Sequence, residues 1–158
     1  MVVGEHRGLA LYTLGQRYGL KVGGRAGSAA APWYVAGKNP DRNALIVVQD
    51  QDHPLLLSDA FDVEQMHWLN SDDTDQPIDC AVKTRYRQND LACTVHLSSE
   101  VHVTLSAPAR AVTPGQYAVF YSGARCLGGG VIARRFNSRV GAAARGIAYN
   151  SHFSAERS

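Results

Sequence analysis

Hydrophobic positions recur every second residue through much of the second half of the chain. They run Ile78, Cys80, Val82; then Leu91, Cys93, Val95, Leu97; then Val101, Val103, Leu105, with polar residues between them. A period of two belongs to a strand with one face buried, so these runs predict three short strands. Turn residues stand where the runs stop: Gln88-Asn89-Asp90, then Ser98 to Glu100, then Ser122-Gly123 between two further runs, Tyr117 to Tyr121 and Arg125 to Arg134. Short connections imply antiparallel neighbours, and closing the strands into a small barrel removes exposed edges. Leu127-Gly128-Gly129-Gly130 continues directly into Val131-Ile132 as strand, with no helix start to follow. The glycines therefore mark a bulge or tight barrel corner and not a phosphate cradle.

Upstream the pattern is less regular. Gly4, Gly8, Gly15 and Gly19 punctuate a run containing Leu9, Leu11, Tyr12, Leu14 and Leu20, so any helix there is short and the segment packs as a series of bends. Small residues from Arg25 to Pro32 read as a loop. Trp33-Tyr34-Val35 begins a strand, Asn39 to Asn43 turns, and Ala44 to Gln49 returns, which is a hairpin signature. After His53-Pro54 and Leu55 to Leu57 comes another strand-like run, Phe61, Val63, Gln65, His67, Leu69, and a seam near Ser58 separates the two halves. The fold expected is mainly β, with α+β character at the N-terminal part: a turn-rich segment over 1–58, an antiparallel barrel over 59–136 and a basic flexible tail over 137–158. That last stretch, rich in Ala, Arg, Gly and Ser, has no sustained apolar period.

A chain of 158 residues with an apolar fraction of 45% is long enough to bury a core. The formal charge of +2 conceals an asymmetry. After Ala133, Arg134, Arg135, Arg139, Arg145 and Arg157 face only Glu156, so the residues before them are net acidic. Seven acids and no Lys or Arg lie from Asp59 to Asp79, and any polyanion must approach from another side. The odd count of three cysteines, Cys80, Cys93 and Cys126, and their wide spacing argue against a zinc or dithiol site and fit buried, inert thiols in a reducing, cytoplasmic compartment. No run approaches the ~18 apolar residues of a membrane span, and none resembles a secretion signal.

Against this background Lys83 to Gln88 stands out. Three cations and an aromatic fall within six residues, and an extended chain would set Lys83, Arg85 and Arg87 on one face. Arginine offers a planar fork to phosphates and base edges and tyrosine a stacking plate, a combination suited to RNA. A solvated strand face would have the same composition. Strict alternation puts Tyr86 on the core side with Val82 and Thr84, so its display needs a bulge or strand end near Arg87. Thr113-Pro114-Gly115-Gln116 reads as a type II turn that sets Gln116 at a strand entrance, where an amide can read a base edge or a phosphate. His6 beside Glu5 is read as a surface or hydrogen-bonded core pair and not as an acid-base site.

Several of these stretches, in this order, resemble the tRNA 2-thiouridylase family (MnmA, also called TrmU). They are Gly4 to Gly8 with Tyr12 to Arg17, Pro32 to Val35, Asp52 to Leu55, Lys83 to Gln88, Ala111 to Gln116 and Cys126 to Gly130. Tyr18 and Lys21 depart from the family's basic residue and glycine in the first motif, and the arginine-rich tail is extra. The resemblance implies a cytoplasmic enzyme that uses ATP, with magnesium, to adenylate the wobble uridine of certain tRNAs. It then exchanges the oxygen for sulfur carried as a cysteine persulfide and received from a sulfur-relay donor protein. The family's Ser-Gly-Gly-x-Asp-Ser ATP loop and its two reactive cysteines belong to an N-terminal catalytic domain and to a stretch just before the matching region, and Cys80, Cys93 and Cys126 do not match them. By resemblance, then, the chain is the remainder of the central domain plus the C-terminal barrel, inactive alone and holding no cofactor, with the catalytic domain and tRNA as partners. The family's tRNA-contacting Arg-Tyr pair falls on Arg85 and Tyr86 and its turn glutamine on Gln116, with Lys83 and Arg87 as flanking cations. A stand-alone barrel that binds RNA or protein without catalysis is the alternative.

Overall fold

A computed structural model describes residues 2–20, 22, 31–70, 77–86, 89–110 and 112–138, together with the backbone of Ile147–Asn150. Nine strands are defined among them: β1 (Tyr34–Asn39), β2 (Ala44–Val48), β3 (Leu57–Trp68), β4 (Ile78–Lys83), β5 (Leu91–Leu97), β6 (Val101–Arg110), β7 (Tyr117–Ser122), β8 (Arg125–Phe136) and β9 (Ile147–Asn150). Two 3-10 turns, Leu9–Leu11 and Pro54–Leu56, are the helical elements among the described residues. The chain divides into two units. One comprises Met1–Leu56 with Val140–Ser158, the other Leu57–Arg139.

In the second unit β3 to β8 close into a barrel in the order β3-β6-β5-β4-β7-β8, every neighbouring pair antiparallel. The alternation in β4, β5 and β6 translates directly: Val82, Cys93, Val95, Val103 and Leu105 are buried in one cluster with Phe61, Phe120 and Ile132. Each large side chain taken fully from water contributes about 1.5–3 kcal/mol, so the barrel interior supplies the main driving force for this unit.

The run in β3 keeps its phase only halfway. Phe61 and Val63 point inward as expected, but Gln65 adopts φ 51 and the register against β8 shifts between Glu64 and His67. The extra residue reverses the alternation, so Met66 and Trp68 pack against the core while Gln65, His67 and Leu69 are exposed. Opposite this bulge lies the glycine triplet of β8. A Cβ on Gly128 would stand 2.2 Å from the His67 carbonyl oxygen, and one on Gly130 would stand 2.5 Å from Val63 Cγ1. Only glycine lets the two strands approach this closely at the seam that closes the barrel.

In the first unit β1 and β2 form the expected hairpin, turned through Asn43 at φ 45, and β9 pairs with the other edge of β2. This sheet is covered on both sides. Val35, Leu45 and Val47 pack with Tyr12, Leu9, Leu14 and Leu20 of the glycine-punctuated segment, whereas Tyr34, Ala36 and Val48 pack with Leu56. Backbone bonds from Gly15 N–H to the Val35 carbonyl and from Val35 N–H to the Gln16 carbonyl tie that segment to β1. Of the span 137–158, expected as a flexible tail, the described parts are Asn137, Ser138 and the backbone of β9. A strand of four residues is too short to announce itself by period.

Candidate nucleic-acid interface

β4 ends at Lys83, earlier than the sequence pattern suggested. Thr84 is buried, and Arg85 and Tyr86 lie in the turn that follows. The expected three-cation strand face is therefore not formed as such: Lys83 is the last strand residue, Arg85 belongs to the turn, and Arg87 lies outside the described residues, as does Gln88. This strand end is also what releases Tyr86 from the core side. Tyr86 is 95% exposed, the most exposed of the large hydrophobic residues described. Buried Thr84 anchors the turn while its two successors are presented to solvent.

Lys83 is engaged locally. Its Nζ lies 3.2 Å from Asp90 Oδ1 across the mouth of the β4–β5 connection and 5.4 Å from the centre of the Tyr121 ring on β7. Both ends of the ion pair are substantially exposed, so it fixes the lysine's position more than it stabilises the fold. Because β4 and β7 are antiparallel neighbours with Lys83 opposite Val119, residues leaving β4 and residues entering β7 lie at the same end of the barrel. Gln116 and Tyr117 enter β7 there. The turn before them is as expected, with Gly115 at φ 86 and the Gln116 N–H donating to the Thr113 carbonyl at 3.2 Å. The Gln116 backbone is locked in addition by the Ile132 N–H, 2.8 Å from its carbonyl. Its side chain is half-buried, and Oε1 is buried without a hydrogen-bond partner among the described residues. A buried amide oxygen without a donor is costly, and a ligand donor or a turn of the amide would satisfy it. Beside it Tyr117 is 68% exposed, an aromatic that the sequence reading passed over. The signal was present: Ala118 and Phe120 point inward, so Tyr117 had to point out.

A second polar constellation also escaped the sequence reading. On the outside of the barrel the nearly buried Asp62 carboxylate accepts from His102 Nδ1 at 2.7 Å and from Arg134 Nε at 2.9 Å, and Arg134 also pairs with Glu100. His96 and Phe136 flank the His102 ring at 6.5 and 5.8 Å. The carboxylate of β3 thereby braces β6 on one side and β8 on the other. Residues 62, 102 and 134 are too widely spaced for any local motif to reveal this.

The cysteines depart from expectation. Cys80 of β4 is the direct cross-strand partner of Cys93 of β5, with the two Sγ atoms 3.6 Å apart, and Cys80 and Cys126 are half-buried rather than fully buried. The hydrogen bond from Cys93 holds the Cys80 thiol below its ordinary value, against burial and Asp79, which push it up. The same bond, reinforced by burial, pushes Cys93 far above its ordinary value. His6, by contrast, is buried and structural. Nδ1 accepts from the Gly8 N–H at 3.1 Å and Nε2 lies 2.9 Å from the Asn43 carbonyl, an arrangement that leaves no ring nitrogen for acid-base work. Among the described residues no group of three His, Cys, Asp or Glu side chains is placed to hold a metal ion, and no helix is long and apolar enough to cross a membrane.

Residues 58–132 match the family model of the aminomethyltransferase β-barrel domain, and residues 1–49 match that of the tRNA methyl transferase PRC-barrel domain. Each of the two units thus contains a stretch that matches a known β-domain family. Among curated proteins the chain is 52% identical over 136 residues to the tRNA-specific 2-thiouridylase MnmA of Vibrio cholerae, covering 85% of this chain and 37% of that protein. It is 50% identical over 141 residues to MnmA of Tolumonas auensis, covering 88% and 38% respectively, and 47% identical over 135 residues to MnmA of Salmonella arizonae, covering 84% and 37%. The chain belongs to the tRNA-specific 2-thiouridylase family and spans little more than a third of the length of these relatives.

Proposed function

We propose that this chain is the tRNA-gripping portion of a tRNA-uridine 2-sulfurtransferase, in which a separate catalytic domain thiolates the wobble uridine with ATP and persulfide sulfur. Arg85 supplies a phosphate or base-edge contact, Tyr86 a stacking surface and Gln116 an amide at the same barrel end, with Lys83 and Arg87 adding positive potential. The observation that carries this reading is the nearly complete exposure of Tyr86 directly beside Arg85, on a turn pinned by buried Thr84. An aromatic ring presented to solvent just beyond a strand end is poised to stack on a splayed base. ATP, magnesium and the sulfur-relay donor protein act at the catalytic domain, in the cytoplasm, and this chain contributes substrate positioning.

The test is genetic and chemical. Deleting the coding region for this chain from the chromosomal gene should abolish 2-thiouridine in bulk tRNA, read by nucleoside mass spectrometry. The double variant Arg85→Ala/Tyr86→Ala should reduce it strongly while the protein still accumulates. An unchanged 2-thiouridine content in either strain overturns the proposal.

A further inference from the structure

Cys80 and Cys93 face each other directly across β4 and β5, and both belong to the barrel interior, Cys93 buried and Cys80 half-buried at its edge. Their Sγ atoms are 3.6 Å apart, where a disulfide requires about 2.05 Å, and directly opposed residues of an antiparallel pair have Cα atoms about 4.5–5.5 Å apart, within the span a disulfide bridges. Around them the ladder is continuous, with Asp79 opposite Thr94 and joined to it by a 2.7 Å hydrogen bond from the Thr94 hydroxyl. We propose that Cys80 and Cys93 form a redox-active dithiol that reacts with low-molecular-weight disulfides and closes to an intramolecular cross-strand disulfide.

The two sulfurs have different roles. Cys80 is the more accessible one, and once it is ionised a hydrogen bond donated by Cys93 across the 3.6 Å gap favours its thiolate, so Cys80 is the attacking group. Its thiolate attacks one sulfur of a disulfide such as oxidised glutathione, forming a Cys80 mixed disulfide and releasing one glutathione thiolate. Cys93, already within contact distance, gives up its proton to that thiolate or to water and attacks Cys80 Sγ, expelling the second glutathione thiolate. Two cysteine thiols have then been oxidised by two electrons and one external disulfide reduced to two thiols. Cys126, on β8, takes no part. The closed bond lies three residues below Lys83, so it joins covalently the two strands from which the Arg85–Tyr86 turn springs. This inference concerns the dithiol alone and stands whether or not the turn contacts tRNA.

To test it, the native chain is incubated with excess oxidised glutathione, quenched with an alkylating reagent in denaturant, digested and mapped by mass spectrometry. The expected wild-type product is a Cys80–Cys93 cross-linked peptide pair, with Cys126 still alkylated and no lasting glutathione adduct. In Cys93→Ser the resolving thiol is missing, and a stable glutathione adduct should accumulate on Cys80. In Cys80→Ser, Cys93 should remain alkylatable only after denaturation. A persistent wild-type adduct at Cys80, a bridge to Cys126, or three alkylatable thiols after prolonged exposure each overturns the proposal. The wild-type map decides by itself if either serine variant fails to fold, a point checked by circular dichroism.

Discussion

Replacing Gly130 with alanine adds one methyl group at a tight crossing of the barrel seam. Gly130 has no unusual φ, so the effect isolates packing from backbone strain. The new Cβ would sit 2.5 Å from Val63 Cγ1, 2.8 Å from the Glu64 carbonyl oxygen and 3.1 Å from Met66 Cα. Two of these neighbours are backbone of the adjacent strand, and the third belongs to a valine that is itself buried in the core and has little room to rotate. Overpacking of this kind costs about 1–3 kcal/mol, and with backbone on two sides the upper end applies. The alanine restricts the unfolded chain and returns about 0.5–1 kcal/mol, leaving a net loss of about 2 kcal/mol. With an unfolding entropy of about 2.1 cal/mol/K per residue over the roughly eighty residues of the barrel, the melting temperature should fall by about 12 °C. Melting followed through Trp68, which packs on Phe120 at 6.0 Å, reports this unit, in a Trp33→Phe background that removes the other tryptophan. The matched control is Gly37→Ala in β1, where the Cβ meets Ile46 Cδ1 at 3.4 Å, an ordinary contact, and stability should change by less than about 0.5 kcal/mol. A Gly130→Ala barrel that melts within about 2 °C of the parent would refute the claim that glycine is required for closure.

Other consequences can be measured directly. In the full-length enzyme, Arg85→Ala should weaken tRNA binding by about 1–3 kcal/mol and lower the salt dependence of affinity by about one charge, and a wild-type slope would remove Arg85 from the interface. Tyr86→Ala should cost a similar ~1–3 kcal/mol with the slope preserved, while Gln116→Ala should cost only about 0.5–1.5 kcal/mol. The rate of Cys80 alkylation should rise with pH around a midpoint below that of an ordinary cysteine and move back up in Cys93→Ala, because the thiolate loses its hydrogen-bond donor; an unmoved midpoint would sink that account. Ending the chain before Ile147 should leave the melting of the barrel unchanged and destabilise the first unit, whose β2 then has an open edge, as read by hydrogen exchange at Ala44–Val48.

What the sequence disclosed follows from where side chains alternate without interruption. The barrel could be read from β4, β5 and β6 because their inward residues keep period two over Ile78–Val82, Leu91–Leu97 and Val101–Leu105, and the glycine triplet marked a bulge or tight barrel corner because it runs on into strand with no helix start. The second half of β3 could not be read, since a single residue at positive φ, Gln65, reverses every later side chain and has no signature of its own. The Cys80–Cys93 pairing stayed hidden for a related reason. Which residues oppose each other depends on how many residues the β4–β5 connection consumes, and the polar run after Lys83 fits several lengths. The candidate contact residues were legible as chemistry, an Arg-Tyr pair and a turn glutamine. Their setting was not, because the end of β4 at Lys83 is decided by tertiary pairing with β7 and not by any stop residue.

The pairing of β9 with β2 also makes the first unit discontinuous along the chain, with the whole barrel spliced between its two parts. During synthesis the barrel strands, contiguous from Leu57 to Phe136, have all their partners in hand once β8 has cleared the ribosome, since β3 waits for β6 and β8 and no strand of the barrel pairs with one made after β8. The first sheet must wait with one edge of Ala44–Val48 unfilled until Ile147–Asn150 emerges, roughly a hundred residues later. That edge is thus filled only in a chain translated past Asn150, and one that stops short of Ile147 presents it to other strands or to chaperones.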